Sequence, residues 1–297
     1  MARLSSPFGA PSVRMLDAFL PLLQHPNIAR FATFSNSVSG FDKTLRLIIY
    51  TLKCVTLFLR DDAALRARIL AIIGPMFESR YLLRMYGLLA MIPPLLHPTY
   101  PLRTKDKTIY KKAVLERIMT YSMWVYYPAE HLYYLKSHRI IGPVQAKPGE
   151  TLSNGDGWSQ LSCAAWAVYI AADLYGSIEA WWPKWQELRA LELKAREAGG
   201  AVSPSGYLGA LLYRGGSPQD ASQRAREASE RIRDSTHFKA LKAEVAEKTA
   251  AIVSNLADLP LALNWSTSSM PLSNTTVSLL GFVGSVINFT LKWQATK

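Results

Sequence analysis

Cysteine is scarce in this chain, and so are the short motifs that mark most enzymes. Its 297 residues include two cysteines, Cys54 and Cys163. Neither sits in a C-x-x-C or beside a histidine, which removes a disulfide framework and a thiolate zinc site. Both read as buried thiols. The five histidines, His25, His97, His131, His138 and His237, form no H-E-x-x-H or H-x3-H pairing. No run of carboxylates has the spacing of a metal loop, so neither a metal nor another cofactor is expected. G-x-G-x-x-G, Walker A and G-x-S-x-G sequences are missing too, which leaves phosphate-cradling and acyl-transfer catalysis without their usual signs. Glu130 and His131 are adjacent, but neighbouring helix positions face different ways and the surrounding aromatics point to packing. The expectation is a protein that is not an enzyme.

Alternation of period two is also lacking, as is any repeat of fixed period, so strands and solenoids are not expected. Near the start, "MLDAFLPLL" is interrupted by Asp17 and Pro21, which is poor material for the apolar core of a secretory signal.

Acidic residues are thin in one half only. Residues 1–150 carry 20 Lys/Arg against 9 Asp/Glu, whereas 151–297 carry 14 against 13. Nearly all of the +12 net charge is therefore N-terminal. Such a half attracts phosphates, whether of nucleic acid or of lipid headgroups.

Apolar residues recur at intervals of three and four throughout, which predicts an all-α protein. Residues 14–138 form a basic amphipathic-helix region. Within it a short helix over 14–34 is broken near Pro26, and "FSNSVSGFDK" caps a helix that runs to Arg60. A helix over 62–74 is expected to end or kink at Pro75, followed by a second over 76–92. Residues 93–112 read as a loop, and 113–138 return to helix with a dense aromatic cluster. Residues 139–157 are a polar linker. An apolar hairpin helix and a charged helix fill 158–198, and 199–218 are a flexible Gly/Ser/Pro linker. A charged amphipathic helix over 219–257 and a membrane helix complete 219–293, all within one membrane domain.

The last part differs in kind. Between Asp258 and Lys292 no charge occurs at all. "TTVSLLGFVGSVINFTL", 275–291, is at the lower limit of spanning length, with Lys292 and Trp293 as an interfacial anchor. Gly281 and Ser285 stand four apart, with Ser278 one turn before them, a spacing that lets another helix approach closely in lipid. The expected class is a membrane-associated helical protein with a C-terminal transmembrane or membrane-embedded helix.

The stretch "FDKTLRLIIYTLKCVTLFLR", 41–60, sets Arg46, Lys53 and Arg60 seven residues apart, nearly in one line on a helix. Leu45, Ile48, Ile49, Leu52, Val55 and Leu59 form a wide apolar sector. No base-reading side chains or nucleic-acid motif accompany it, so a soluble basic adaptor for nucleic acid is the weakest reading and nucleic acid is not an expected partner. A helix so built can lie in a headgroup layer, with Lys43, Arg46, Lys53 and Arg60 on anionic phospholipid. Arg80 and Arg84, one turn apart, mark a second basic amphipathic helix.

Taken in order, several stretches resemble one family, the peroxin-11 (peroxisomal biogenesis factor 11) membrane proteins. "DKTLRLIIYTLK" resembles its D-K-x-x-R-x-x-x-Y opening through Asp42, Lys43, Arg46 and Tyr50. "ESRYLLRMYG" resembles its S-R-x-x-x-R segment through Ser79, Arg80 and Arg84. "YYPAEHLYYLKSHRII" is similar to its middle helix. "LADLPLALNWS" and "SLLGFVGSVINFTLKW" resemble its C-terminal signature through Asp258-Leu-Pro, Leu280-Gly281 and Trp293. The resemblance implies a peroxisomal membrane protein that promotes elongation, proliferation and fission of the organelle. It implies amphipathic helices inserted into one leaflet, self-association into homo-oligomers, and assembly of dynamin-type fission machinery. Lipid contact falls to Lys43, Arg46, Lys53, Arg60, Arg80 and Arg84, and self-association to Ser278, Gly281 and Ser285. The main alternative is a membrane channel for small metabolites, in which polar residues of apolar helices line a pore.

Overall fold

A computed structural model describes residues 25–59, 61–141, 157–200 and 218–296. Helix makes up 87% of the described residues, and no strand occurs among them. In chain order the helices are α1 (Pro26–Asn36), α2 (Val38–Phe58), α3 (Ala63–Ala90), α4 (Ile92–Leu96), α5 (Lys107–Ser137), α6 (Gly157–Gly200), α7 (Pro218–Asp234), α8 (Thr236–Trp265) and α9 (Asn274–Ala295).

Side-chain caps set most of the starts. The Ser37 hydroxyl accepts the Gly40 N–H at 3.0 Å and opens α2. Asp62 accepts from Leu65 at 2.8 Å for α3, and Asp106 accepts from Thr108 and Ile109 for α5. Ser235 and Ser273 cap α8 and α9 in the same way. Each such cap contributes about 1 kcal/mol and fixes where the apolar face begins.

Prolines do not divide the chain as their positions suggest. The two helices expected on either side of Pro75 are one, α3, with Pro75 inside it. The apolar and charged helices expected over 158–198 are a single 44-residue helix that runs through Pro183. Conversely, the helix expected over 219–257 is divided at Ser235, and its second part continues through Pro260 to Trp265. A proline removes one N–H and crowds one carbonyl, a cost of about 3 kcal/mol; packing of the turns on both sides offsets it. The loop expected over 93–112 is shortened by α4 and by the start of α5 at Lys107. What remains is held by Glu116, whose carboxylate accepts the N–H groups of Thr99 at 2.7 Å and Tyr100 at 3.1 Å. The helix expected over 14–34 is seen from Pro26 as α1, and its first part, like most of both linkers, lies outside the described residues.

Six helices close a ring. α2 packs on α3, α3 on α5, α5 on α6, α6 on α8, α8 on α9, and α9 returns to α2. α1 rests on α2, while α7 lies along α6. At one seam Ile49, Tyr50 and Ile73 are buried together under Trp265 and Phe282, where each large side chain contributes roughly 2 kcal/mol. Beyond the ring, α6 and α8 continue side by side over Leu188, Phe238, Leu241 and Val245. Two of the helices, Gly157–Ala198 and Asn274–Ala295, are long and apolar enough to cross a membrane by length and composition, the C-terminal one as expected.

Candidate functional site: an ion-paired cluster inside the helix ring

The ring surrounds a cavity of about 1150 Å³ to which all six helices contribute. Its charged lining comes from α2 (Asp42, Lys43, Arg46, Lys53), α3 (Glu78, Arg80, Arg84), α5 (Glu130), α6 (Asp173) and α8 (Asp258). Spacings of three and four residues place Asp42, Arg46, Tyr50 and Lys53 along one face of α2, and Arg80 and Arg84 along one face of α3. The faces meet.

Each arginine finds a carboxylate on another helix. Arg46 grips Asp258 with both terminal nitrogens, one of them at 3.0 Å from Oδ2, and both side chains are nearly shielded from solvent. Arg80 binds Asp42 through Nε at 2.8 Å and Nη2 at 3.3 Å. Arg84 is paired with Glu130 and also donates to the Tyr126 hydroxyl at 2.6 Å. Tyr126 in turn donates to the same Glu130 oxygen at 2.8 Å. The planar guanidinium fork suits two-point contact with a carboxylate, which lysine cannot reproduce. Buried pairs of this kind add little net stability over apolar packing, but losing one partner strands a charge at a cost of about 3–5 kcal/mol. They therefore fix how α2, α3, α5 and α8 register against one another.

α9 carries no charge into the cluster and is shaped around it. A Cβ at Gly281 would overlap the Tyr50 ring, and one at Gly284 would stand 2.5 Å from Asp258 Oδ1. Ser278 and Ser285 are buried, and their hydroxyls return to the carbonyls of Asn274 and Gly281. The small-residue face of Ser278, Gly281 and Ser285 is thus filled by α2 of the same chain, as α9 and α2 pack face to face. Polar contacts continue around the ring, with Asn288 donating to Ser254 at 2.7 Å and Asn255 to Asp173 at 2.6 Å.

The six cations expected at lipid headgroups are placed as follows. Arg46, Arg80 and Arg84 are in the ion pairs just described. Lys43 lines the cavity, and Lys53 lies over the rings of Tyr50 at 5.4 Å and Phe77 at 4.8 Å, contacts worth about 0.5–2 kcal/mol each. Arg60 lies outside the described residues. Sequence reasoning passed over the acceptors Glu130 and Asp258 as partners, and it passed over Gly284. One signal was available: a lone carboxylate such as Asp258, followed by 33 uncharged residues, needs a partner if its helix is buried.

Asp42, Arg46, Tyr50, Arg80, Arg84, Asp258 and Gly281 converge from four separate segments of the sequence. A family model described as peroxisomal biogenesis factor 11 (PEX11) matches residues 28–293. The chain belongs to this PEX11 family. It is accordingly a peroxisomal membrane protein and a peroxisomal biogenesis factor. The match runs from α1 to α9 and so takes in the whole ring and its ion pairs. Neither a curated protein nor a solved structure matches the chain.

Proposed function

We propose that this PEX11 protein promotes elongation and division of peroxisomes by placing apolar helix surface in the membrane and associating with further copies of itself. The observation that carries the reading is the outer face of α2 and α3. Ile48, Val55 and Phe58 on α2, and Leu82, Met85 and Leu89 on α3, are exposed. Arg46, Arg80 and Arg84 turn the other way, into ion pairs, which leaves much of this face to apolar side chains that acyl chains can cover. The short helices α1 and α4 add exposed Phe31, Ile92 and Leu96. Helix volume added to one leaflet expands it relative to the other and favours curvature. Because α2 fills the small-residue face of α9, contact between copies uses an outward stripe such as Leu279, Val283 and Val286. Dynamin-type fission machinery is the partner that would act on the elongated membrane.

In cells, raised expression lengthens and multiplies peroxisomes, and deletion leaves fewer and larger ones. Unchanged number and shape in both conditions contradict the reading.

The cavity favours a second reading, passage of small polar metabolites through the ring. Purified protein in liposomes that keep their shape then releases a trapped small solute, whereas release that occurs only as liposomes deform belongs to the first reading.

A further inference from the structure

Beyond the ring, α6, α7 and α8 form an arm with its own charge arrangement. α6 and α8 bury Leu188, Phe238, Leu241 and Val245 between them. Around that seam Lys184 pairs with Glu244, His237 Nε2 lies 3.0 Å from Glu187, and Lys239 lies 3.0 Å from Asp234. Three cations are left over. Arg196 on α6, Arg233 in the last turn of α7 and Lys242 on α8 line one pocket of about 200 Å³, together with Glu192 and Phe238. None of the three makes an ion pair or a side-chain hydrogen bond among the described residues.

The apolar seam holds this pocket in shape. Phe238 is anchored in the seam and supplies the apolar wall, and Lys242 follows it by one turn of α8. Arg196 follows Glu192 by one turn of α6, and Arg233 arrives from a third helix, just before the Ser235 cap that starts α8. Three helices thus bring like charges to one concave surface, where a single carboxylate leaves two positive charges in excess. Gathered cations repel one another, and an anion seated among them turns repulsion into attraction.

The donors define that anion. Two guanidinium groups offer planar forks and the ammonium offers a point charge. A carboxylate has two oxygens, which one arginine already satisfies. A phosphate monoester has three terminal oxygens and nearly two negative charges at neutral pH, enough for all three cations. A phosphodiester, with two free oxygens and one charge, fits less well. Phe238 keeps water from one side, which strengthens the contacts of a seated anion.

We infer that the pocket between α6, α7 and α8 binds a phosphate monoester. Its residues lie outside the ring, so the inference stands apart from how the ring helices meet the membrane. A lipid headgroup and a soluble phosphate both carry this chemistry, and the test separates them.

The test titrates the full chain in maltoside detergent by calorimetry with inorganic phosphate, dihexanoyl phosphatidic acid and, as the diester, dihexanoyl phosphatidylglycerol. Phosphatidic acid or inorganic phosphate should bind about tenfold more tightly than phosphatidylglycerol. Tighter binding of phosphatidic acid than of inorganic phosphate assigns a lipid headgroup, and equal or weaker binding assigns a soluble phosphate. Arg196→Gln and Arg233→Gln should each weaken binding about tenfold and leave the melting temperature unchanged, because both side chains are exposed. Glu192→Gln should tighten it. Arg226→Gln, which removes an exposed α7 cation outside the pocket, should change nothing. The inference is overturned if the folded chain binds none of the probes or binds the diester equally well. It is also overturned if Arg196→Gln and Arg233→Gln leave binding intact, or if Arg226→Gln weakens it as much as they do. The readout is binding alone, so failure here leaves the proposed function standing, and unaltered peroxisomes in cells leave this site standing.

Discussion

Arg46 and Asp258 are 212 positions apart in the chain, yet the guanidinium of one holds the carboxylate of the other through two N–H groups. Gly284 leaves room for the pair. One contact thereby joins the first long helix to the two last ones, and the same logic recurs at Arg80–Asp42 and Arg84–Glu130.

Glu130 supplies a graded test of the cluster. Replacing Glu130 by leucine leaves Arg84 without its main acceptor, and the unfolding free energy in detergent should fall by about 3 kcal/mol. Tyr126→Phe removes one hydrogen bond, with a fall of about 1 kcal/mol. Equal and small effects from both, measured by thermal or denaturant unfolding, would show that the cluster does not hold the ring together.

The α9 glycines should respond differently to the same substitution. Gly281→Ala collides with the Tyr50 ring and Gly284→Ala with the Asp258 carboxylate, each lowering stability by about 1–3 kcal/mol. Tyr50→Ala should recover part of the loss at Gly281 and none at Gly284. A double-mutant cycle on melting temperatures decides it; recovery at both positions contradicts the assigned neighbours.

How far the sequence reveals this arrangement depends on the residue. The period of Arg46 and Lys53 is plain in the sequence, and so is their placement on one face of α2. Which way that face points is not, because an amphipathic helix has the same pattern whether its polar side meets headgroups or carboxylates from α3 and α8. Likewise the spacing of Ser278, Gly281 and Ser285 announces a close helix approach, but only packing shows that the approaching helix is α2 of the same chain. Pro75 misled for a related reason: local propensity favours a break there, and the neighbours that outweigh it are distant in sequence. The caps at Ser37 and Asp62 are local, and local chemistry suffices to read them, whereas Asp106 lies within the stretch that reads as a loop.

Headgroup contact is expected from cations outside the cavity. Arg66 and Arg68 are exposed at the start of α3, and each cation near an anionic surface is worth about 1 kcal/mol. Arg66→Gln with Arg68→Gln should leave the melting temperature unchanged while removing part of the preference for phosphatidylserine-containing over neutral vesicles. An unaltered preference, measured by co-flotation at low and high salt, assigns headgroup contact elsewhere.

The central claim is that the basic motif of α2 builds an internal ion pair. The most direct measurement exchanges its charges. Arg46→Asp and Asp258→Arg should each lower stability and abolish peroxisome elongation in cells that lack the native protein. The double exchange should restore a substantial part of both. If Arg46→Asp alone abolishes elongation while the protein melts and enters membranes normally, and the double exchange restores nothing, then Arg46 acts outside the ring and the account is wrong.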